Sequence, residues 1–166
     1  MAKKPLYPLQ QILEIKQRRV EEAEKIVRDK LQELAKEEEK LVEKKAERDK
    51  VLEHQRNKLK QLREELDGGT TSPKVQQMKV YLKVVQERLE AEEKKVQEQE
   101  ARVQAAKEAV EAARRQLAIR RQEVDKLEMH KGEWTKDARK EEAVMEEREQ
   151  DELGNIIYTI HRQKER

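Results

Sequence analysis

The sequence predicts an all-α fold: a long two-helix antiparallel coiled-coil hairpin with a C-terminal helical overhang. Three observations predict it. Glycine and proline are confined to a few places, which leaves two long stretches with neither. The second stretch carries a seven-residue apolar repeat without a break. The apolar positions of the two stretches also coincide when the chain is folded back at its midpoint.

Composition agrees with that class. Of 166 residues, 46% are charged, 34% hydrophobic and 2% aromatic, with no Phe, no Cys and a single Trp, Trp134. An ordinary globular domain carries about 45–50% apolar and about 25% charged residues. So little apolar mass cannot fill a multilayer core, and a single elongated domain over 1–166 is expected. Without cysteine there is no disulfide, thiolate metal site or thiol nucleophile. No run reaches the ~18 apolar residues of a membrane span. The opening Met1-Ala2-Lys3-Lys4-Pro5 lacks the apolar segment of a secretory signal. A soluble, reducing compartment is the expectation. The 39 basic and 37 acidic residues leave a net charge of +2. That gives no broad cationic field for a phosphate backbone, so nucleic acid is not an expected partner.

Helix one is expected over about 8–66. Pro8 opens it, and from Leu9 to Leu66 the chain is rich in Glu, Lys, Gln, Arg, Leu and Ala, all strong helix formers. Its apolar repeat runs Leu13, Val20, Val27, Leu34 and Leu41. It then steps eleven residues to Leu52 and continues to Leu59 and Leu66, a step that would locally unwind a supercoil. Residues 67–73 read as a stop and a restart. Asp67-Gly68-Gly69 can end a helix through a left-handed glycine. Ser72 offers an N-cap oxygen, and Pro73 suits the first helical turn.

Helix two is expected over about 74–162. Val75, Leu82, Leu89, Val96, Val103, Val110, Leu117 and Val124 recur every seven residues. A strict repeat of 3.5 residues per turn stays on one side of a helix only if the helix supercoils around a partner. The companion positions Met78, Val85, Glu92, Gln99, Ala106, Ala113, Arg120 and Leu127 are weaker, which makes the centre of the seam thin and partly polar. Folding the chain at Thr70-Thr71 sets Leu66 against Val75, Leu59 against Leu82 and Leu52 against Leu89. Farther out, Leu34 meets Ala106, Val27 meets Ala113 and Leu13 meets Leu127. A short connection favours antiparallel neighbours. The hairpin reading expects a monomer, with a parallel homodimer as the alternative. Trp134 lands opposite Leu6 and beside Tyr7, a structural closure of the open end. From about residue 136 helix two has no partner, an overhang of about 45 Å if helical.

Catalytic constellations are missing. His54, His130 and His161 are far apart and show no metal-binding spacing such as H-E-x-x-H. Carboxylates lie in surface runs such as Glu37-Glu38-Glu39, where solvated i,i+4 ion pairs explain them. No phosphate-binding glycine loop or nucleophile elbow is present. No enzyme activity, cofactor, metal or catalytic residue is expected.

Two patches break the rule that outward positions are polar. Near the tip, Val80 and Val84 occupy outward positions one turn apart, with Tyr81 flanking the seam and Met78 beside it. In the overhang, Leu153, Ile157 and Ile160 form an i, i+4, i+7 stripe with Ile156 and Tyr158 alongside. An apolar stripe without a partner implies burial against something. Gly154 interrupts this segment and permits a bend, at about 1 kcal/mol relative to Ala.

The opening Tyr7-Pro8-Leu9-Gln10-Gln11-Ile12-Leu13-Glu14-Ile15-Lys16, followed by Arg19-Val20-Glu21-Glu22-Ala23-Glu24-Lys25, resembles the N-terminal signature of FliJ/YscO-type stalk proteins of type III secretion. Gly69-Thr70-Thr71-Ser72 with Met78-Lys79 and Tyr81-x-Lys83-Val84-Val85 is similar to the chlamydial branch. So is His130-Lys131-x-Glu133-Trp134-x-Lys136 with Gln150-Asp151-Glu152. The resemblance implies a non-enzymatic two-helix stalk, similar to the gamma subunit of rotary ATPases. It implies a bacterial cytoplasmic location at the base of a secretion apparatus that serves virulence. It also implies association with the hexameric secretion ATPase and with the cytoplasmic domain of the export gate, and in some members with export chaperones. Under that resemblance Arg148, Ile156, Ile157, Ile160 and Arg162 are the expected ATPase contacts. Met78, Val80, Tyr81 and Val84 form the expected gate-facing surface. A prefoldin-like coiled-coil chaperone and a passive structural coiled coil are the rival readings. The first would need strand-forming residues at the turn, where Asp67 to Pro73 is too short for a β-hairpin.

Overall fold

The computed structural model describes residues 6–164, so Met1 to Pro5 lie outside the described residues. Among the described residues there are two helices: α1, Gln10–Asp67, and α2, Ser72–Lys164. Ahead of α1 the chain turns, and the Gln10 amide donates to the Tyr7 carbonyl at 3.1 Å. Pro8 sits inside that turn, where its fixed φ is favourable. The Leu9 carbonyl accepts the first helical bond, from Leu13 at 3.0 Å.

The connection between the helices is closed by backbone bonds. The Thr70 amide donates to the Glu65 carbonyl at 3.2 Å and the Gly69 amide to the Leu66 carbonyl at 3.3 Å. That pair is a Schellman motif, and Gly69 takes its left-handed position at φ +76°. The Thr71 carbonyl accepts from the Val75 amide at 3.2 Å, so the cap falls on Thr71, one residue before the expected Ser72. The Lys74 ammonium reaches across the turn to the Glu65 carboxylate at 2.9 Å.

Contacts group the chain into two compact units: Glu24–Arg115, and Met1–Ala23 with Gln116–Arg166. The physical reason is that a helical pair makes cross-helix contacts only with the directly facing stretch. Each unit therefore has its own piece of seam. In the unit nearer the turn, Val85, Leu89, Val96, Gln99, Val103 and Val110 of α2 are buried, along with Val51 and Leu62 of α1. In the other, Tyr7, Leu13 and Ala23 are buried, and Leu117, Val124 and Leu127 of α2 are half-buried.

The repeat of α2 holds as expected, including its weaker companion positions. That of α1 differs. Leu59 and Leu66 are 38% and 51% exposed, and Leu62 takes the seam instead. The buried register runs Leu34, Leu41, Arg48, Gln55, Leu62, so the eleven-residue step does not occur. Helical geometry keeps its period through two polar layers, because the long aliphatic parts of Arg48 and Gln55 can cover the seam with their heads at the edge. The other seam row of α1 carries a lysine every fourteen residues, at Lys16, Lys30, Lys44 and Lys58, each half-buried.

Polar cross-helix contacts fix the register. Lys16 pairs with Glu123 at 2.9 Å, and Lys45 pairs with Glu100 at 3.1 Å. Gln55 bonds Gln86 across the seam. Gln99 is fully buried; its amide donates to the Glu37 backbone carbonyl at 3.0 Å and to the Glu37 carboxylate. The Glu37 carboxyl is held below its ordinary value of 4.5 by hydrogen bonds from Lys40 and then Gln99. Glu123 is lowered chiefly by the Lys16 hydrogen bond, and Glu65 by that of Lys74.

Gly69→Ala should cost about 1–2 kcal/mol, because a Cβ is disfavoured at positive φ although nothing lies within 4 Å of it. Gly154 has the same open space and continues α2 without a break, so Gly154→Ala should gain up to about 1 kcal/mol of helix stability. Urea unfolding of both variants, followed by circular dichroism, reads the opposite signs. The three depressed carboxyls contribute stability that is complete above pH 4.5 and is lost as pH falls through their lowered values. The thermal midpoint should therefore drop as the solution is acidified below that point. Lys16→Met should shrink the drop, as measured by parallel melts from pH 6 to about pH 3.

Candidate functional site

The tip patch lies in the unit nearer the turn. Val80, Tyr81 and Val84 are exposed, and Met78, on the seam row, is half-buried. The Tyr81 hydroxyl lies 2.9 Å from His54 Nε2, and the two rings meet edge to face at 6.0 Å. The Lys58 ammonium sits 5.7 Å from the Tyr81 ring centroid, in cation–π range. Tyr81 thereby divides two shallow hollows. One, beside the turn, is floored by Met78 and Leu82; the other includes Val51, Val84 and Val85. Met78 and Val84 thus each share a hollow with Tyr81, but not the same one. Val80 lies on the outer side and lines neither hollow.

His54 and Lys58 are the participants that sequence reasoning missed. The clue was available in the fold-back register, which places this stretch of α1 along the Tyr81 side of α2. Side chains this long reach several residues either way, so numbers alone do not choose the partner.

At the open end Tyr7 is 6% exposed. Its ring meets Trp134 edge-on at 5.6 Å, and its hydroxyl lies 2.6 Å from His130 Nδ1. Lys131 donates to the Gln10 amide oxygen at 2.8 Å. Leu6 was expected to pack with this pair, but it is 88% exposed. The Tyr7 ring occupies the flank of the indole, and the residue before it is turned outward, to the edge of a hollow shared with Trp134.

Beyond Ala138, every described residue of α2 is exposed. Arg148, Ile156, Ile157, Ile160 and Arg162 lie on this segment with Leu153 and Tyr158. No residue of α1 covers them. Arg162 also belongs, with His161 and Lys164, to the last turn of α2, where cations favour the negative helix end. Among the described residues no cluster of three potential metal ligands occurs, and no helix is long and apolar enough to cross a membrane.

A pair of long antiparallel helices, charged outside and seamed within, with apolar patches on outward faces, defines a coiled-coil hairpin protein. The chain belongs to the YscO-like family: that family's model, YscO-like protein, matches residues 4–164. It is accordingly a type III secretion protein of the stalk type. Among solved structures it is similar to a candidate YscO homologue, CT670, from Chlamydia trachomatis. The two are 48% identical, with 99% of each chain covered and a TM-score of 0.92. No curated protein matches significantly.

Proposed function

We propose that this chain is the central stalk of a type III export apparatus, acting in the bacterial cytoplasm between the hexameric secretion ATPase and the cytoplasmic domain of the export gate. The observation that carries this reading is the uncovered end of α2. A helix that continues past its partner and keeps isoleucines on its surface is built to be covered by another protein. Ile156, Ile157 and Ile160 supply the apolar contact with the ATPase, and Arg148 and Arg162 flank it with charge. Met78, Val80, Tyr81 and Val84 supply the gate contact, with the Tyr81 ring steadied by His54 and Lys58.

The stalk works by unequal contact. A single helix inside a ring of six subunits touches only some of them at a time. It can bias their conformations only by as much as its affinity differs between their states. Catalysis stays with the ATPase, and the stalk contributes binding free energy to one subunit state over another.

Deleting residues 146–166 should abolish stimulation of the purified secretion ATPase by this protein; a phosphate-release assay with undiminished stimulation would sink the ATPase assignment. Tyr81→Ala combined with Val84→Asp should reduce capture of the gate's cytoplasmic domain at least ten-fold in a pull-down. Capture equal to that of the unaltered chain would rule out the tip surface.

A further inference from the structure

The face of α2 that α1 covers does not end where α1 ends. Trp134 and Ala138 belong to the seam, and Met145 lies eleven residues past Trp134. At 3.6 residues per turn, these three positions fall within about 40° of one another. Glu142 and Glu149 lie on the same side, within about 80° of Trp134. This face holds an open hollow of about 500 Å³ floored by Trp134, Ala138 and Met145. Its other lining residues are five carboxylates: Asp137, Glu141, Glu142, Glu146 and Glu149. Asp137 is paired at 3.6 Å with Lys140, but no cation lines the hollow itself. A neighbouring hollow of about 430 Å³ joins it to the end of α1; Tyr7, Trp134, Ala138 and Glu142 line it together with two cations, Lys131 and Arg139, so the acidic character belongs to the part beyond Ala138.

We propose that this surface, Trp134, Ala138 and Met145 within a rim of carboxylates, is a docking site for an amphipathic helix of a partner protein that carries Lys or Arg beside its apolar stripe. The helix lies end to end with α1 and prolongs the same seam. Two features select that occupant. The surface continues an interface already formed by helix against helix, so its spacing suits another helix. Five acids with no lining cation repel an acidic-flanked helix and attract a basic-flanked one, both in encounter and in register. The site shares the uncovered end of α2 with the proposed ATPase surface, and Glu146 and Glu149 of its rim fall inside the deletion that tests that surface; the titration below contains no ATPase, so its failure is distinguishable from failure of the stalk reading.

Trp134 is the only tryptophan in the chain, so emission comes from this surface and its contact with Tyr7. The test is a fluorescence titration of the full chain with two synthetic helical peptides, each three heptads long with the same leucine face. One is flanked by Lys and the other by Glu. The Lys-flanked peptide should shift Trp134 emission to the blue saturably, and added salt should weaken binding. Met145→Asp should weaken it at least ten-fold. Met129→Asp, at an exposed position about 140° around the helix from Trp134, should leave it unchanged. Circular dichroism of both variants confirms that α2 remains helical. Absence of a shift, equal binding of the Glu-flanked peptide, or full binding by Met145→Asp would overturn the proposal. So would a shift produced by raising the chain's own concentration without peptide, which would make a second copy the occupant.

Discussion

Everything in this molecule depends on the seven-residue period of α2. An α-helix of 3.6 residues per turn cannot keep a 3.5-residue stripe on one side unless another helix is wound against it. Val85, Leu89, Val96, Val103 and Val110 are buried because α1 supplies that partner within the same chain. The return is made possible by Gly69, whose left-handed backbone lets two amides satisfy the last carbonyls of α1 within a four-residue connection.

The seam is not a uniform apolar zipper. Four half-buried lysines recur along α1, and Gln99 is wholly buried with one oxygen unbonded. Each polar layer gives up some burial free energy, and each accepts only a partner at the correct height. Polar groups in a coiled-coil seam are best attested as devices that set register. Glu37 with Gln99, and Lys16 with Glu123, fit that role, one in each compact unit. The surface ion pairs within a single helix, such as Arg114 with Glu111, are exposed and contribute little individually.

Function follows from what the seam leaves uncovered. Exposed apolar groups occur along both helices, and the proposed partner surfaces are the tip and the segment past Ala138, where several share one face. At the tip, one tyrosine organises the patch by engaging a histidine and a lysine from the facing helix. Past Ala138 the absence of a facing helix creates the surface instead. There the face of α2 that is interior to the hairpin becomes exterior, and its acids and isoleucines are exposed.

Much of this was legible in the sequence, for a physical reason. Helix periodicity is a local property, and the repeat of α2, the glycine stop and the bare C-terminal segment are all written in consecutive residues. The sequence alone determined the helical class, the fold-back and the family resemblance. Tertiary structure decided the rest. It placed Leu62, rather than Leu59 or Leu66, on the seam, because packing held the heptad through Arg48 and Gln55 where hydrophobicity pointed to the nearest leucines. It turned Leu6 outward because the Tyr7 ring took the side of Trp134. It chose His54 for Tyr81 and Glu37 for Gln99, since long side chains from facing helices reach several residues and only their three-dimensional directions select the partner.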